Sequence, residues 1–311
     1  LYVGDEAVCP SCAETDTTVC SYCGERIWRE NDFGDSDTAL CEACYTNHYT
    51  RCNQCGRLIS FSAAYYQDED EDEETPYCSA CYHECGEAIH GYSYKPVPIF
   101  HGDAPMYMGV ELEVDDGGKD PAKAKKILSI FNQTGEFGYI KSDGSLDDGL
   151  ELVTHPCTLE AHMREVPWRE ALERFKALGY YSHQSSTCGL HVHVNRTFFG
   201  AAQAEQDEKI GHVLYLFERF WQELLRFSRR TQRQVAQWAA RYGYKDTGRE
   251  IMEHAKKAYQ GRYTCVNLTN TDTIEFRIFR GTLKYNTLIA TLQLVEKLCN
   301  VAVSLSEERL Q

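Results

Sequence analysis

Four short segments after residue 105 place charged or imidazole side chains two residues apart, with apolar residues between them. The segments cover residues 109–114, 143–154, 189–195 and 274–282. Residues two apart in a β-strand point to the same face of the sheet. Each segment therefore predicts a strand with one apolar and one polar face. Side by side, such strands would form a floor of Glu, His and Arg side chains that suits divalent cations and phosphates.

The apolar spacing of residues 106–311 mixes strand and helix periods. It predicts strands near 107–115, 137–141, 149–154, 189–195, 262–267 and 274–280, and helices near 120–132, 158–179, 204–232, 233–259 and 284–304. Because helices do not separate the strands regularly, we expect an α+β domain with a largely antiparallel sheet. The sequence has neither a Gly-x-x-x-x-Gly-Lys-Ser/Thr loop nor a Gly-x-Gly-x-x-Gly turn. Metal ions and side chains would therefore have to hold any nucleotide phosphates.

The first 90 residues carry most of the cysteines. Of the 15 cysteines, 11 lie in residues 9–85, and ten of these form Cys-x-x-Cys pairs. The pairs are Cys9/Cys12, Cys20/Cys23, Cys41/Cys44, Cys52/Cys55 and Cys78/Cys81. Two such pairs complete a tetrahedral zinc site. We therefore expect a small zinc-binding domain with four-cysteine sites over residues 1–90, with a disulfide framework as the alternative.

An internal repeat predicts which cysteine pairs share an ion. Segments 20–27 and 52–59 are alike, and so are segments 40–45 and 77–82. Each unit thus has an opening and a closing pair, as in zinc-ribbon or LIM-like modules. The predicted zinc sites are Cys20/Cys23/Cys41/Cys44 and Cys52/Cys55/Cys78/Cys81. The alternative register joins neighbouring pairs, Cys9/Cys12 with Cys20/Cys23 and Cys41/Cys44 with Cys52/Cys55.

Charge is distributed unevenly along the chain. The net charge is −15, and residues 1–100 hold 5 Lys and Arg against 19 Asp and Glu. This acidic half disfavours nucleic acid and anionic membranes as partners. The acids at 68–74 predict a solvated loop, and residues 91–105 predict a linker to a second domain at 106–311. We expect the acidic half either to dock a protein or peptide for the second domain or only to cover that domain.

The sequence as given has no run of 18 or more apolar residues and no charged-then-apolar leader. These features predict that the chain has no membrane span and no secretion signal. We therefore expect a cytoplasmic, reducing compartment, in which thiolates bind zinc rather than form disulfides.

The motifs Gly-Val-Glu-Leu-Glu, Gly-Leu-Glu-Leu-Val-Thr, Gly-Leu-His-Val-His and Ile-Glu-Phe-Arg, in this order, resemble those of the amidoligases of bacteria and phages. That family is similar in fold to glutamine synthetase and glutamate–cysteine ligase, and the resemblance covers residues 106–300. It implies a glutamine-synthetase-like sheet with packed helices. The implied ligands of two or three Mg²⁺ or Mn²⁺ ions are Glu111, Glu113, Glu151, His191 and Glu275.

The resemblance also implies contacts with the nucleotide. Arg277 matches an arginine that contacts the transferred phosphate. Gly189 and His193 match the segment that faces the nucleotide and the substrate. Lys141 lies in a loop that fits contact with a substrate.

The remaining catalytic candidates are an acid and a second arginine. Asp143, or Glu151 if it is free of metal, would deprotonate the attacking ammonium. Arg280 lies three residues after Arg277, and this spacing predicts opposite faces of the strand. Arg277 has a simpler alternative role as the ion-pair partner of Glu275.

The implied reaction is an ATP-dependent ligation of a carboxylate and an amine. ATP phosphorylates the carboxylate, and the amine then attacks the acyl phosphate to form an amide or peptide-type bond. The alternatives are a metal-dependent hydrolase that uses the same acids with the His-x-His pair, and a non-catalytic zinc-module adaptor. The sequence leaves the acceptor open among an amino acid, a peptide, a cell-wall fragment and a protein side chain.

Overall fold

The computed structural model describes residues 1–4, 6–53, 55–66, 76–79, 81–82, 88–257 and 261–310. The chain divides into two compact units, Leu1–Glu87 and Ala88–Gln311. Its mixture of helices and strands confirms the α+β class that the sequence predicts. The acidic loop expected at 68–74 and Cys85 lie outside the described residues.

Short hairpins and short helices build the first unit. Its strands are β1 (Tyr2–Val3), β2 (Glu6–Ala7), β3 (Thr17–Val19), β4 (Arg26–Trp28), β5 (Tyr49–Arg51), β6 (Leu58–Ser60), β7 (Tyr65–Tyr66) and β8 (Pro76–Tyr77), and its α-helices are α1 (Pro10–Thr15) and α2 (Glu42–His48). The hairpins β3–β4 and β5–β6 each carry an opening cysteine pair in the turn. Gly24 and Gly56 follow these pairs with φ of 80° and 70°, a left-handed conformation that favours glycine.

A six-stranded antiparallel sheet organises the described part of the second unit. Its strands are β9 (Met108–Val114), β10 (Gly138–Lys141), β11 (Leu150–Thr154), β12 (Gly189–Asn195), β13 (Val266–Asn267) and β14 (Thr273–Arg280). Their order is β10-β11-β9-β12-β14-β13, and every pairing is antiparallel. All six strands lie where the sequence predicts strands, although β13 is shorter than expected.

Helices surround the sheet and share its apolar core. They are α3 (Pro121–Phe131), α4 (Leu159–Arg164), α5 (Trp168–Ala177), α6 (Gln203–Arg219), α7 (Trp221–Ser228), α8 (Gln232–Trp238), α9 (Gly248–Lys257), α10 (Tyr285–Ser304) and α11 (Glu307–Leu310). Val110, Leu112 and Val114 of β9 are fully buried in the same core as Phe131 of α3 and Val295 of α10. Because side chains alternate along a strand, the acids of β9 point to the opposite face.

Three predicted helices are wrong in length. The segments at 158–179, 204–232 and 233–259 each contain two helices instead of one. Pro167 separates α4 from α5, because proline has no backbone N–H to donate and restricts the residue before it. Phe220 departs from helical geometry between α6 and α7, with φ of −106° and ψ of 32°.

Helix α10 is the one described helix that is long and apolar enough, by length and composition, to cross a membrane. Its mean hydropathy is 1.2, and 39% of its most apolar stretch is buried. Leu288, Leu292 and Val295 on this helix are fully buried in the core of the second unit. In this structure α10 therefore serves as a core helix.

The stretch that the sequence assigns to a linker hydrogen-bonds within the second unit. The N–H of His90 donates to the carbonyl of Ile140 (2.9 Å), and the N–H of Ser142 donates to the carbonyl of His90 (2.9 Å). Further on, the N–H of His101 donates to the carbonyl of Pro156 (2.9 Å). Residues 91–100 thus run between two points, His90 and His101, that are hydrogen-bonded to the sheet region.

Leu112→Ala is expected to lower the free energy of unfolding by about 2–5 kcal/mol, because it opens a cavity in the core. Leu112 is fully buried on the central strand β9, whereas Val97 is 85% exposed. Val97→Ala is therefore the control, with an expected change within about 0.5 kcal/mol. Urea denaturation compares the two variants, and equal losses would contradict the core position of Leu112.

Candidate active site

Three rows of side chains lie next to each other on the polar face of the sheet. The rows are Lys141–Glu151–Glu113 across β10, β11 and β9, Glu111–His191 across β9 and β12, and His193–Glu275–Asn267 across β12, β14 and β13. Directly paired residues of antiparallel strands share a face of the sheet. The register therefore brings together residues from segments that are far apart in the sequence.

Glu111 lies at the centre of this group. Its Oε2 is 3.2 Å from His191 Nδ1, and its Oε1 is 3.3 Å from His193 Nε2. His191 also approaches Glu113, with Nε2 3.9 Å from Oε1, and Glu275, with Nδ1 3.6 Å from Oε1. Both histidines thus lie among carboxylates.

Three sets of ligand atoms on this face are compact enough to hold a metal ion. They are Glu111/His193/Glu275, Glu111/Glu151/His191 and Glu113/Asp143/Glu151, and the ligand atoms of each set lie within 4.8 Å of one another. Glu111 and Glu151 each belong to two sets, so neighbouring ions would share a carboxylate. All five metal ligands implied by the sequence resemblance take part, and His193 and Asp143 join them.

The donor atoms fit hard divalent cations. Mg²⁺ prefers oxygen ligands, and imidazole suits several transition metals as well. Two of the sets have two carboxylates and one imidazole, and the third has three carboxylates. The buried Nε2 of His193 makes no hydrogen bond of good geometry in the described part of the chain, although Glu111 Oε1 lies 3.3 Å away. A buried polar atom of this kind needs a partner, and a coordinated cation would provide it.

Burial and neighbouring charges shift the pKa values of these acids in different directions. Burial raises the pKa of Glu113, and burial together with the charge of Glu111 raises the pKa of Glu151 well above its ordinary value. Burial acts in the same direction on Glu111, but His193 and His191 outweigh it and hold its pKa well below the usual range. Like charges this close repel each other, so cations bound between them would be stabilising.

Lys141 is the cation already present in the first row. Its Nζ lies 3.1 Å from Glu151 Oε2, and both side chains are largely buried. Burial lowers the pKa of Lys141, but the carboxylates of Glu151 and Glu111 outweigh this effect and raise it. Lys141 therefore stays protonated and offsets part of the negative charge.

Glu275 is held by side chains that sequence reasoning missed. Its Oε2 accepts hydrogen bonds from Asn267 Nδ2 (2.8 Å) and Asn270 Nδ2 (3.3 Å). Its Oε1 forms an ion pair with Nη1 of Arg277, as the simpler interpretation of Arg277 expects. Thr273 holds the neighbouring histidine, with Oγ1 3.1 Å from His193 Nδ1. In the sequence, an asparagine that holds a buried carboxylate looks the same as one that faces solvent. Sequence reasoning therefore had no signal by which to find these asparagines.

Gly189 leaves room for a buried arginine that the sequence analysis did not single out. A Cβ atom on Gly189 would lie 2.6 Å from Arg230 Nη2, 2.6 Å from His191 Nε2 and 3.1 Å from Glu113 Oε2. The N–H of Gly189 donates to Glu113 Oε2. Burial lowers the pKa of Arg230 to about 10 although Glu113 acts against it. The glycine thus lets a guanidinium lie beside the ligand cluster.

A β-bulge in strand β14 changes the face of the sheet on which Arg280 lies. Around His191, strand β14 has one residue more than β12. The extra residue shifts the alternation by one position. Arg280 pairs directly with Gly189 and therefore lies on the same face as Arg277. The prediction of opposite faces assumed an uninterrupted strand and is wrong, although only Arg277 of the two lines the cavity described below.

Asp143 reaches the cluster from the loop between β10 and β11. Its Oδ1 accepts hydrogen bonds from the N–H of Ser145 (2.6 Å) and from Ser145 Oγ (2.5 Å). Buried Asp115 fixes the end of the same loop by accepting from the N–H of Asp148 (2.7 Å) and from Thr187 Oγ1 (2.5 Å). The loop is thereby held where the Asp143 carboxylate completes the third ligand set.

The acids line a cavity of about 1340 Å³. Pockets for one small ligand measure roughly 300–1,000 Å³, so this cavity has room for two substrates. Arg230 and Arg277 line it together with the aromatic rings of Tyr92, Trp238 and Tyr263. Such rings offer flat packing surfaces next to the charged face.

The cysteines of each repeat unit lie together in the first unit. The sulfur atoms of Cys20, Cys23, Cys41 and Cys44 lie within 4.8 Å of one another, and so do those of Cys52, Cys55, Cys78 and Cys81. This is the grouping of the repeat register and not that of neighbouring pairs. No disulfide joins the cysteines among the described residues. Each cluster can hold a metal ion with four sulfur ligands.

Residues 112–299 match the model of a family described as "Putative amidoligase enzyme". The match runs from strand β9 to helix α10 and contains most of the ligand cluster. It covers more than half of the chain, so the protein belongs to this family, whose name denotes a ligase. No curated protein matches the chain.

Gly189→Ala is expected to lower the free energy of unfolding by about 1–3 kcal/mol, because the added methyl group would displace Arg230 and His191. Gly91→Ala is the matched control, since a Cβ atom there meets nothing within 4 Å. Urea denaturation measures both variants. If Gly189→Ala were as stable as the control, the close packing around Gly189 would be contradicted.

Proposed function

We propose that this protein is an ATP-dependent carboxylate–amine ligase that forms an amide or peptide-type bond through an acyl-phosphate intermediate. The main support for this proposal is the presence of three ligand sets on one face of the sheet. These sets overlap, because Glu111 and Glu151 each belong to two of them. Neighbouring cations that share carboxylates suit a polyphosphate and its transferred phosphoryl group. Membership of the amidoligase family supports the same reaction class.

The residues of the chain would hold and orient the reacting groups. Bound Mg²⁺ or Mn²⁺ would neutralise phosphate charge and align the γ-phosphoryl group for in-line transfer. Asn267 and Arg277 fix the Glu275 carboxylate from opposite sides. The buried Nε of Arg277 has no hydrogen-bond partner among the described residues, so this N–H is available to a phosphoryl oxygen. Lys141 and His193 line the same cavity and are the further proposed contacts of the phosphates and the substrate.

Asp143 is the proposed acceptor of the proton that the attacking ammonium must lose. Its carboxylate belongs to one ligand set only and is partly exposed to the cavity. Glu151 belongs to two sets, and its Oε2 is ion-paired with Lys141 at 3.1 Å. Asp143 therefore has the freer carboxylate of the two candidates.

A metal-dependent hydrolase is the second candidate. The Glu111/His193/Glu275 set favours it, because imidazole and carboxylates also hold the metal ions of hydrolases. The two candidates differ in their need for ATP. Calorimetry with ATP and Mg²⁺ separates them, since the ligase requires ATP binding that depends on the metal ion, and the hydrolase and an inactive adaptor do not.

Glu111→Gln and Glu275→Gln are each expected to reduce ATP turnover at least about a hundredfold, because each removes a charged ligand of the proposed metal ions. Arg277→Lys should also be severe, since lysine cannot reproduce the guanidinium geometry. Glu170→Gln, at an exposed position of α5, is the control for loss of one acid. Turnover is measured as phosphate release after circular dichroism has shown that each variant is folded.

Full ATP turnover by both Glu111→Gln and Glu275→Gln would contradict the proposed metal ligands. Tight ATP binding with no turnover in the wild-type protein would leave the ligand cluster as a nucleotide-binding site and contradict catalysis.

We further propose that each cysteine cluster holds one zinc ion. Burial alone would raise the pKa of Cys20, but hydrogen bonds from backbone N–H groups of Cys23 and Cys41 lower it to about 6. A thiol with a lowered pKa readily supplies the thiolate that zinc requires. Four sulfur ligands without an open position are typical of structural zinc sites.

Elemental analysis is expected to find two zinc ions per chain, and Cys20→Ser should remove one of them. Because zinc binding contributes much of the folding free energy of such units, Cys20→Ser should also unfold the first hairpin region. Cys9→Ser is the matched control, since Cys9 lies outside both clusters. Purified protein without zinc, or the same zinc content in all three proteins, would contradict this assignment.

A further inference from the structure

Five basic residues lie together at the end of the polar face, beyond Gly189. This basic cluster consists of Arg229, Arg230, Arg280, Lys284 and His183. A Cβ atom on Gly189, which pairs with Arg280, would lie 2.6 Å from Arg230 Nη2. A Cβ atom on Gly281, which follows Arg280 and precedes Lys284 by three residues, would clash with Oγ of Ser182, the neighbour of His183. The cluster belongs to neither the metal-ligand sets nor the cysteine sites.

The backbone holds two consecutive arginines against the end of β14. Arg229 ends helix α7 in the left-handed conformation, with φ of 62°, which is uncommon for a residue other than glycine. From there Arg229 Nη2 donates to the carbonyl of Arg280 (3.1 Å), and Arg230 Nε donates to the carbonyl of Phe279 (3.2 Å). A guanidinium has five N–H donors. Each arginine therefore keeps further N–H groups for another acceptor.

The N-terminus of a long helix adds to the positive charge. Lys284 is the N-cap residue of the 20-residue helix α10, and no side chain caps this end. The first turn of α10 contains no acidic residue. The first N–H groups of a helix carry partial positive charge, so a lysine there is unfavourable unless an anion is present. The helix end and the cluster thus favour the same kind of ligand.

The basic cluster forms no ion pairs of the kind that cations form elsewhere in the described part of this acidic chain, although the carboxylate of Glu113 lies near Arg230. Arg164, Arg241 and Arg249 each form an ion pair with a glutamate. Within the described residues, no carboxylate forms an ion pair with Arg229, Arg230, Arg280, Lys284 or His183. The buried Nε of Arg280 also has no hydrogen-bond partner among the described residues. The structure therefore places one buried N–H donor without a partner, Arg280 Nε, next to cations that form no ion pair.

The charges in the cluster disfavour one another. Burial and Arg280 lower the pKa of Arg229, and burial and the cations around it lower the pKa of His183. Holding like charges together costs free energy unless an anion binds between them.

We propose that the basic cluster and the N-terminus of α10 form a phosphate-binding site distinct from the metal-ligand cluster. Guanidinium forks and helix N-terminal N–H groups are the donors that bind tetrahedral phosphate oxygens best. The site adjoins the cavity through Arg230, which lines the cavity as Glu113 does. This inference does not depend on the ligase proposal, because it requires neither metal ions nor catalysis.

The phosphate group that binds at this site comes from one of two sources, either free inorganic phosphate or the phosphates of a nucleotide. Both present the same oxygen atoms to the arginines, and metal-free conditions separate this site from the metal-dependent one. Isothermal titration at low ionic strength, without added Mg²⁺ or Mn²⁺ and without chelator, uses first inorganic phosphate and then ATP to distinguish the sources. Competition between the two probes assigns the site to nucleotide phosphates, and binding of inorganic phosphate alone assigns it to the free ion.

The double substitution Arg229→Gln with Lys284→Gln is expected to weaken phosphate binding at least about tenfold, because each removes a charged donor. Arg226→Gln is the matched control, since Arg226 is exposed on the same helix α7 and should leave the affinity within about twofold. Thermal unfolding checks the fold. If the double variant unfolds, Lys284→Gln alone, at an exposed position, should still weaken binding measurably.

Absence of phosphate binding to the wild-type protein without added Mg²⁺ or Mn²⁺ would overturn the proposal. Unchanged affinity in a folded double variant would overturn it as well. Acetate binding as tight as phosphate binding would overturn the assignment to phosphate.

Discussion

The second unit depends on how one face of an antiparallel sheet accommodates several carboxylates at once. Glu111, Glu113, Glu151 and Glu275 lie on three adjoining or nearly adjoining strands, where burial reduces the solvent screening of their charges. Histidines from β12 and Lys141 from β10 lie between them and offset part of the repulsion. Divalent cations would offset the remainder, which explains why the acids occur in overlapping sets and not singly.

The opposite face of the same strands makes this arrangement stable. Leu112, Leu152 and Val192 are fully buried in one apolar core with the helices. Because side chains alternate, a slip of one residue in β9, β11 or β14 would bury acids and expose core residues. The hydrophobic core therefore fixes the register, and the register fixes the distances between the ligand atoms. The alternation of side chains along the strands therefore determines both the stability of this sheet and the arrangement of its ligand atoms.

The two units bring metal ligands together in different ways. In the first unit, thiols lie on tight turns and at helix starts, so each half of a cluster is local in sequence. In the second unit, carboxylates and imidazoles come from strands far apart in the chain. Soft sulfur ligands and hard oxygen ligands prefer different ions. Next to these acids the polar face carries Arg280, which pairs with Gly189, and Arg229 at the end of α7 donates to the Arg280 carbonyl.

The sequence by itself determined the six strands, their polar face and the grouping of the cysteines. Those features follow from period-two alternation and from a repeat, which depend only on residues close together in the chain. Only the tertiary structure decided that a bulge turns Arg280 to the face of Arg277, that Asn267 holds Glu275 and that Arg230 lies beside Gly189. Each of these contacts needs the pairing of β14 with its neighbours or the end of α7. Local periodicity carries no information about such partners, because they meet only when the strands and helices pack.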